Sequence, residues 1–91
     1  MYTKSKYVVG EILTRDLLGS VFGAVVVSEL VPHAALKPLF VEGSIVGAGF
    51  CHSDEASVYV YGESTGLGVK SRAEDVKHVA RALAHQTAIG G

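Results

Sequence analysis

A short motif that occurs twice constrains the fold of this chain more than any other feature of its sequence. Residues 19–24 and 43–48 both read Gly-Ser-(Val/Ile)-x-Gly-Ala, and both copies lead through largely apolar residues to a serine and an acid. Valine-rich runs of this kind are typical of strands in a sheet interior, where glycine and alanine let a helix or another strand approach closely. The two copies therefore predict two core strands, on either side of one connection.

The connection between the two copies is predicted to be a short helix. Pro32 stands where the first residue of a helix tolerates proline, and Pro38 then ends or kinks the helix because proline lacks a backbone N–H. Crossover connections between parallel strands of one sheet are right-handed. We therefore expect the two core strands to be parallel and to lie next to each other or nearly so.

Alternating and apolar stretches predict four strands. Residues 2–12 begin with polar and apolar side chains in alternation, which indicates a half-exposed strand, and residues 20–29 are dominated by one apolar run. Residues 44–52 and 56–61 lie close together in the chain and are predicted to form a hairpin. A short helix over residues 12–18 is the alternative to a turn after the first strand.

The C-terminal segment carries the strongest local signal, which is a helix N-terminus. Ser71 and Glu74 have the spacing of a capping box, in which each side chain binds a backbone N–H at the start of the helix. The helix is predicted to end near residue 85 or 86. Its apolar stripe comprises Val76, Val79, Ala80 and Leu83.

These elements predict an α+β fold with the order ββαββα. From residue 20 onward this order resembles the ferredoxin-like plan without its last strand, and the N-terminal strand is expected at the empty edge position. The sheet is then four-stranded and mixed, with both helices on one face. A partner subunit is expected to cover the other face, whose aromatic side chains are Tyr2, Tyr7, Tyr59 and Tyr61.

The composition predicts a single domain over residues 1–91, with a frayed tail at residues 86–91, that associates with itself. Apolar residues make up 48% of the chain and charged residues only 19%, so a small domain exposes apolar surface, which usually marks an interface. A homo-oligomer, most simply a two-fold dimer, is expected. The single Cys51 cannot form an intramolecular disulfide and the apolar runs are too short for a membrane span, so we expect a cytoplasmic protein without membrane contact.

A glycine-rich connection before the last helix is the best candidate for a ligand site. Residues 62–71 combine three glycines, three hydroxyl side chains and a lysine, and backbone N–H groups at a helix N-terminus bind anions. The glycine spacing matches neither a P-loop nor a dinucleotide-binding motif, and a flexible connection with positive φ angles is the alternative. The predicted binding residues for a small anionic ligand are Ser64, Thr65, Gly66, Gly68, Lys70 and Ser71.

The other reactive side chains lack the spacing of a catalytic or metal-binding set, so no cofactor and no metal are expected. Cys51 and His52 are adjacent on a strand, so their side chains point to opposite faces of the sheet. Asp54 and Glu55 are interpreted as turn residues rather than as an acid–base pair. Metal-ligand spacing is absent among the four histidines, which are His33, His52, His78 and His85.

The predicted function is that of a small non-enzymatic oligomeric module, which binds a small anionic ligand or a protein partner. The last helix is predicted to have a basic exposed face, formed by Lys70, Lys77, His78, Arg81 and His85. A nucleic-acid partner is nevertheless disfavoured, because the net charge is −1 and no aromatic residue lies on that helix for base stacking. Two alternatives remain. One is an enzyme whose site forms at a subunit interface with Cys51 or a histidine, and the other is a nucleic-acid-binding regulator that uses the C-terminal helix.

Overall fold

Six strands and two helices are present in the computed structural model, which describes residues 3–14, 19–54 and 57–90. The helices are a 3₁₀ helix (His33–Leu39), which lies between the second and third strands, and α1 (Asp75–Gly90), which follows the last strand. The strands are β1 (Thr3–Leu13), β2 (Ser20–Ser28), β3 (Gly47–Ser53), β4 (Val58–Tyr61), β5 (Glu63–Ser64) and β6 (Val69–Lys70).

The connection after β2 forms the predicted short helix, in the 3₁₀ form. Pro32 caps its N-terminus with a φ of −64°, and Pro38 lies within the helix. Because Pro38 has no N–H to donate, a longer α-helix cannot continue through it, and the backbone is extended again at Phe40. The segment buries Leu36 and Phe40 against the sheet.

Strands β1 to β4 form one antiparallel sheet in the order β2-β1-β3-β4. β1 lies in its interior and pairs with β2 on one side and with β3 on the other, while β3 and β4 form the predicted hairpin. Because β2 and β3 are both antiparallel to β1, they run in the same direction, as near neighbours with one strand between them. β5 and β6 form a separate two-stranded sheet.

The predicted mixed sheet in the order ββαββα is wrong. All neighbouring strands of the four-stranded sheet are antiparallel, the first strand is central rather than at an edge, and β5 and β6 precede α1. The reason lies in β1, where Tyr7, Val8 and Val9 are all fully buried. Consecutive buried residues place side chains on both faces of the sheet, as an interior strand requires. The alternation at the start of β1 indicated a half-exposed strand and not an interior strand, because residues 4–6 are at least partly exposed.

The two helices cover opposite faces of the sheet, rather than one face as predicted. The face under α1, which we call the α1 face, has a core of Tyr7, Val9, Val26, Cys51 and Val79. The opposite face, which we call the 3₁₀ face, packs against the 3₁₀ helix and the β5–β6 hairpin. Its buried core consists of Val8, Leu36, Phe40 and Ala48.

The predicted row of tyrosines on a single uncovered face is also wrong. Tyr7 is buried on the α1 face, whereas Tyr59 and Tyr61 are partly exposed on the 3₁₀ face, and Tyr2 lies outside the described residues. Each face is therefore covered in part by the chain itself. Exposed large apolar side chains lie at the β3–β4 end of the 3₁₀ face, where they are Tyr59 and Tyr61, and in the edge strand β2, where they are Val21 and Phe22.

The second copy of the motif lies where a close approach occurs. A Cβ atom at Gly47 would lie 2.6 Å from Oδ1 of Asp75, which is too near for any side chain. At Gly23, in the first copy, the nearest atom to such a Cβ would be Cδ1 of Ile12 at 3.8 Å, an ordinary contact. The prediction of a close approach is therefore confirmed for the second copy, against α1, and not for the first.

The start of α1 is held by Asp75, one residue after the predicted capping position. Its Oδ2 accepts hydrogen bonds from the Tyr7 hydroxyl at 2.7 Å and from the backbone N–H of Arg72 at 2.9 Å. The bond from the N–H of Arg72 is the one that the acid of a capping box accepts, but the acid is Asp75 instead of the predicted Glu74. Glu74 forms an ion pair with the Arg72 guanidinium at 3.0 Å. α1 continues to Gly90, beyond the predicted end.

Candidate functional site

The glycine-rich connection predicted to bind an anion uses several of its own backbone N–H groups internally. Oγ of Ser64 accepts a hydrogen bond from the N–H of Leu67 at 3.2 Å, and the Ser64 carbonyl accepts one from Gly68 at 2.8 Å. The N–H of Ser71 donates to the carbonyl of Gly62 at 3.0 Å. Gly62 and Gly68 have φ angles of 77° and 68°, so the alternative of a connection that needs positive φ explains these two glycines.

Asp75 occupies the position at the N-terminus of α1 where an external anion would bind. Its carboxylate is fully buried, and its Oδ1 accepts hydrogen bonds from Nε and Nη2 of Arg72 at 2.9 and 2.7 Å. A negative charge at this end of a helix interacts favourably with the helix dipole. Burial, and then the hydrogen bond to Asp75 and its charge, raise the pKa of Tyr7 well above its ordinary value, so that Tyr7 stays a neutral donor.

The fold separates the six residues predicted to bind an anion. Three of them line a cleft beside the sheet, and the other three are not among the residues that line it. Their binding of a ligand stays a prediction. The residues in the cleft are Ser64, Thr65 and Gly66, and the residues outside it are Gly68, Lys70 and Ser71.

The cleft has a volume of about 280 Å³ and a rigid aromatic wall. It lies between Lys6 of β1, His33 of the 3₁₀ helix, Phe50 of β3 and residues 63–66. Nε2–H of His33, a buried residue, donates a hydrogen bond to the carbonyl of Gly49 at 2.7 Å. The His33 ring also meets the Phe50 ring edge to face, with centroids 5.6 Å apart. His33 is therefore held in place, and Lys6 brings an ammonium group to the cleft.

Two rows of side chains cross the 3₁₀ face beside the cleft, and together they form what we call the aromatic surface. The strand register places each lysine of β1 opposite an aromatic residue of β3, and that residue opposite a tyrosine of β4. Adjacent strands alternate their side chains in step, so the members of a row share one face of the sheet. The first row is Lys6, Phe50 and Tyr61, and the second row is Lys4, His52 and Tyr59.

The rings of the aromatic surface lie close together but remain partly open to solvent. Phe50 and Tyr61 are nearly parallel, with centroids 5.8 Å apart and an angle of 24° between the rings. His52 and Tyr59 are 4.9 Å apart at 35°. Tyr59 and Tyr61 are 45% and 40% exposed. Each tyrosine therefore presents ring surface on which a flat ligand can stack.

Two lysines give the aromatic surface a positive border. Nζ of Lys4 lies 4.9 Å from the centroid of the Phe50 ring and 3.9 Å from Oε2 of Glu29. An ion pair as exposed as that of Lys4 and Glu29 contributes about 0–1 kcal/mol, so a ligand anion can compete for the lysine. Lys6 lies at the boundary between the aromatic surface and the cleft.

The sequence contained a signal for the aromatic surface that the prediction did not use. Each of the three strands contributes two side chains of the aromatic surface that are two positions apart, and a strand places such residues on one face. The local pattern does not give the strand register, and the register is what aligns the three pairs. The pairs are Lys4 and Lys6, Phe50 and His52, and Tyr59 and Tyr61.

Cys51 gives no support to the enzyme alternative. It is 1% exposed on the α1 face, and it lies in the strand next to His52, whose side chain is on the 3₁₀ face as the alternation predicts. Burial raises the pKa of the Cys51 thiol from 9.0 to about 11, so the nucleophilic thiolate is not the form present at neutral pH. Among the described residues, no group of three or more His, Cys, Asp or Glu side chains is placed to hold a metal ion.

The C-terminal helix offers a smaller basic face than predicted. Lys70 lies in β6 and not on α1, and the side chain of His85 lies outside the described residues. The ring of His78 packs edge to face on Phe22, with centroids 5.0 Å apart. Neither helix in the described part of the chain combines the length and the apolar character needed to cross a membrane.

Comparisons of the chain with protein-family models, with curated protein sequences and with solved structures give no significant match. The function is therefore inferred from the arrangement of the side chains.

Proposed function

We propose that this protein is a non-enzymatic binding module whose ligand is a small anion that carries a flat ring. The observation that supports the proposal is the aromatic surface, in which the partly exposed rings of Tyr59 and Tyr61 share a sheet face with Lys4 and Lys6. Exposed apolar surface of this kind commonly marks a binding site. The side chains project from three hydrogen-bonded strands, so their arrangement exists before the ligand arrives.

The dimensions of a row set the size of the ligand. Tyr61 and Lys6 stand on strands separated by β3, and a spacing of about 4.8 Å between neighbouring strands puts them roughly 10 Å apart. A ring stacked on Tyr61 can therefore place an anionic group at Lys6 if a spacer of about the size of a sugar joins the two. Stacking on one aromatic side chain contributes about 1–3 kcal/mol.

Glu63 limits the charge that the ligand can carry. Glu63 lines the same cleft as Lys6, and its carboxylate repels a ligand with several negative charges, while it accepts hydrogen bonds from hydroxyl or amino groups. A ligand with one anionic group is therefore favoured over a polyphosphate. Adenosine monophosphate is the simplest probe that combines ring, spacer and anionic group.

Titration calorimetry with three probes tests the proposal. Adenosine monophosphate contains both binding groups, adenosine contains only the ring, and ribose 5-phosphate contains only the anionic group. We expect the whole probe to bind at least about tenfold more tightly than either part, since each part loses one contact worth about 1.4 kcal/mol or more. Backbone NMR shifts are expected to change on β1, β3 and β4 and not on α1.

Matched variants separate the two contacts. Tyr61→Ser is expected to weaken adenosine monophosphate and adenosine alike, by about 5- to 150-fold, because both probes lose the stacking contact. Lys6→Gln is expected to weaken adenosine monophosphate and to leave adenosine unchanged. Lys77→Gln removes an equivalent charge from α1 and serves as the control. Absence of binding, or equal affinity for the whole probe and its parts, would contradict the proposal.

A single-stranded oligonucleotide in the same titrations tests the nucleic-acid alternative. Binding to phosphates releases counterions, so its affinity falls steeply as salt rises. If the oligonucleotide binds far more tightly than adenosine monophosphate, with such a salt dependence, the ligand is a nucleic acid. Loss of that binding in Lys77→Gln would place it on the C-terminal helix, as the alternative predicts.

A further inference from the structure

We infer that the outer edge of β2 pairs with the same edge of a second copy, which joins two four-stranded sheets into one sheet of eight strands. β2 stands at the end of the order β2-β1-β3-β4, and β1 is its only strand partner among the described residues. One side of its nine-residue backbone, Ser20–Ser28, therefore lacks a neighbouring strand. The N–H and C=O groups of such an edge are a template for another strand.

The sequence of β2 has none of the features that protect an edge strand from pairing. Ser20–Ser28 contains no charged residue and no proline, whereas edge strands in natural proteins are commonly protected by lysine, proline, a bulge or short length. Val21 and Phe22 are 62% and 45% exposed. The opposite edge, β4, is protected by its length of only four residues, Val58–Tyr61. The unprotected edge is therefore the one at β2.

A second copy is the partner that this edge fits. Antiparallel pairing of two identical strands has two-fold symmetry, so the assembly closes at two chains. Because Ser20–Ser28 carries no charge, the symmetry places no like charges opposite each other. The edge also offers no charged side chain that would select the sequence of a foreign strand, whereas every copy of the chain supplies a matching edge.

A second cleft provides side-chain surface that the partner copy buries in addition to the backbone bonds. Stable interfaces bury about 1,200–2,000 Å², which is more than the pairing of two strands supplies alone. The cleft has a volume of about 290 Å³ and lies between β2 and α1, with Val21, Phe22, His78 and Ala82 among its walls. The interface is therefore expected to include this part of α1.

The dimer does not rest on the proposed function, because the two surfaces lie at opposite ends of the sheet. β2 forms one edge and β4 forms the other. Pairing at β2 places the two aromatic surfaces at the outer ends of the eight-stranded sheet, where both stay open to ligand.

Size-exclusion chromatography with light scattering tests the inference over a dilution series from millimolar to micromolar chain. At high concentration the wild-type protein is expected at twice the chain mass of 9.5 kDa. Val21→Lys brings two positive charges to the interface at an exposed position, and it is expected to have the mass of one chain throughout, with an unchanged circular dichroism spectrum. Leu39→Lys is the matched control, since Leu39 is 45% exposed but lies in the 3₁₀ helix.

Amide hydrogen exchange tests the backbone pairing separately. Alternate amides of Ser20–Ser28 are expected to be protected in the dimer and to lose that protection on dilution and in Val21→Lys. Amides of β4 are expected not to change. A wild-type protein that is a single chain at every concentration, a Val21→Lys protein that remains dimeric, or a dimer whose β2 amides do not respond to dilution would each overturn the inference.

Discussion

Replacement of Tyr7 by phenylalanine tests the polar contact that anchors α1 to the sheet. The Tyr7 hydroxyl donates a hydrogen bond of 2.7 Å to Oδ2 of Asp75, and both residues are fully buried. Phenylalanine keeps the ring and its packing, so no large cavity opens and the change isolates the hydroxyl. Asp75 retains the three hydrogen bonds that it accepts from Arg72.

The charge of the acceptor sets the expected magnitude. A hydrogen bond to a charged group contributes about 1.5–3 kcal/mol, compared with about 1 kcal/mol for a neutral pair. Removal of a partner that leaves a buried charge unpaired costs about 3–5 kcal/mol, but Arg72 still neutralises the Asp75 carboxylate in this variant. We therefore expect Tyr7→Phe to lower the free energy of unfolding by about 2 kcal/mol.

Urea denaturation followed by circular dichroism measures this loss. Tyr59→Phe makes the same chemical change at a side chain that is 45% exposed, and a surface substitution of this kind changes stability by no more than about 0.5 kcal/mol. The denaturant slope is expected to be the same in both variants. The midpoint of unfolding is expected to fall only in Tyr7→Phe.

The reasoning is refuted if Tyr7→Phe loses less than about 0.5 kcal/mol, or no more than Tyr59→Phe loses. A double-mutant cycle with Asp75→Asn supplies a second check. Both single changes weaken the same hydrogen bond, so their combined effect is expected to be smaller than the sum of the two. Additive losses would show that the hydroxyl and the carboxylate do not act together.

Three further predictions concern the same core and the turns beside it. Gly47→Ala is expected to lower the free energy of unfolding by about 1–3 kcal/mol, because its methyl group would lie 2.6 Å from Oδ1 of the buried Asp75. Urea denaturation measures the loss, and an unchanged free energy of unfolding would contradict the close contact. Gly62→Ala is expected to lower the free energy of unfolding more than Gly68→Ala does. Both glycines have a positive φ, but only at Gly62 would the added Cβ lie close to another side chain, 2.9 Å from Cδ2 of Phe50. Equal midpoints of unfolding for the two variants would argue against this. The stability that depends on a neutral Cys51 thiol is expected to be fully present below pH 9 and to fall as the pH rises from 9 to 11, because the thiol ionises near 9.0 when unfolded, while burial raises its folded pKa to about 11. In a pH series of denaturation curves Cys51→Ala is expected to reduce the decline between pH 9 and 10, whereas the decline above pH 10 persists, because the pKa of buried Tyr7 is also raised above its unfolded value of 10.0.

The local parts of the fold were predictable because they depend on residues that are neighbours in the chain. The two prolines at 32 and 38 predicted a short helix, and the proximity of residues 44–52 and 56–61 predicted the β3–β4 hairpin. The stripe that includes Val79 predicted the buried side of α1, and Val79 is fully buried. Each of these depends on periodicity or on backbone restriction over a few residues.

The place of β1 in the sheet was not predictable in this way, because strand order depends on pairing between distant segments. Residues 4–6 resemble the start of a half-exposed strand, and only the burial of Tyr7, Val8 and Val9 together shows that β1 contributes to both cores. An edge position and a central position fit the same local pattern. The error in strand order, and with it the mixed sheet, follows from this ambiguity.

The candidate site was missed for the same reason. Ser64 suggested a ligand because its hydroxyl lies in a glycine-rich segment, but that hydroxyl accepts a hydrogen bond from Leu67 within a turn. Asp75 follows Glu74 in the sequence, and the capping-box spacing from Ser71 favoured Glu74, although Asp75 is the acid that lies four residues before the buried Val79, on the same side of the helix. Its main partner in the sheet, Tyr7, is 68 positions away. Register and burial, rather than residue type, decide the role of each of these side chains.

The central position of β1 also determines when the core can form as the chain is synthesised. β1 and β2 can pair early, but the Tyr7 hydroxyl lacks the acceptor that it has in the folded protein until Asp75 has been added. Two paired strands alone are at best marginally stable in water. A chain arrested before residue 75 therefore leaves the apolar side of this hairpin open, and we expect such nascent chains to need a chaperone to avoid aggregation.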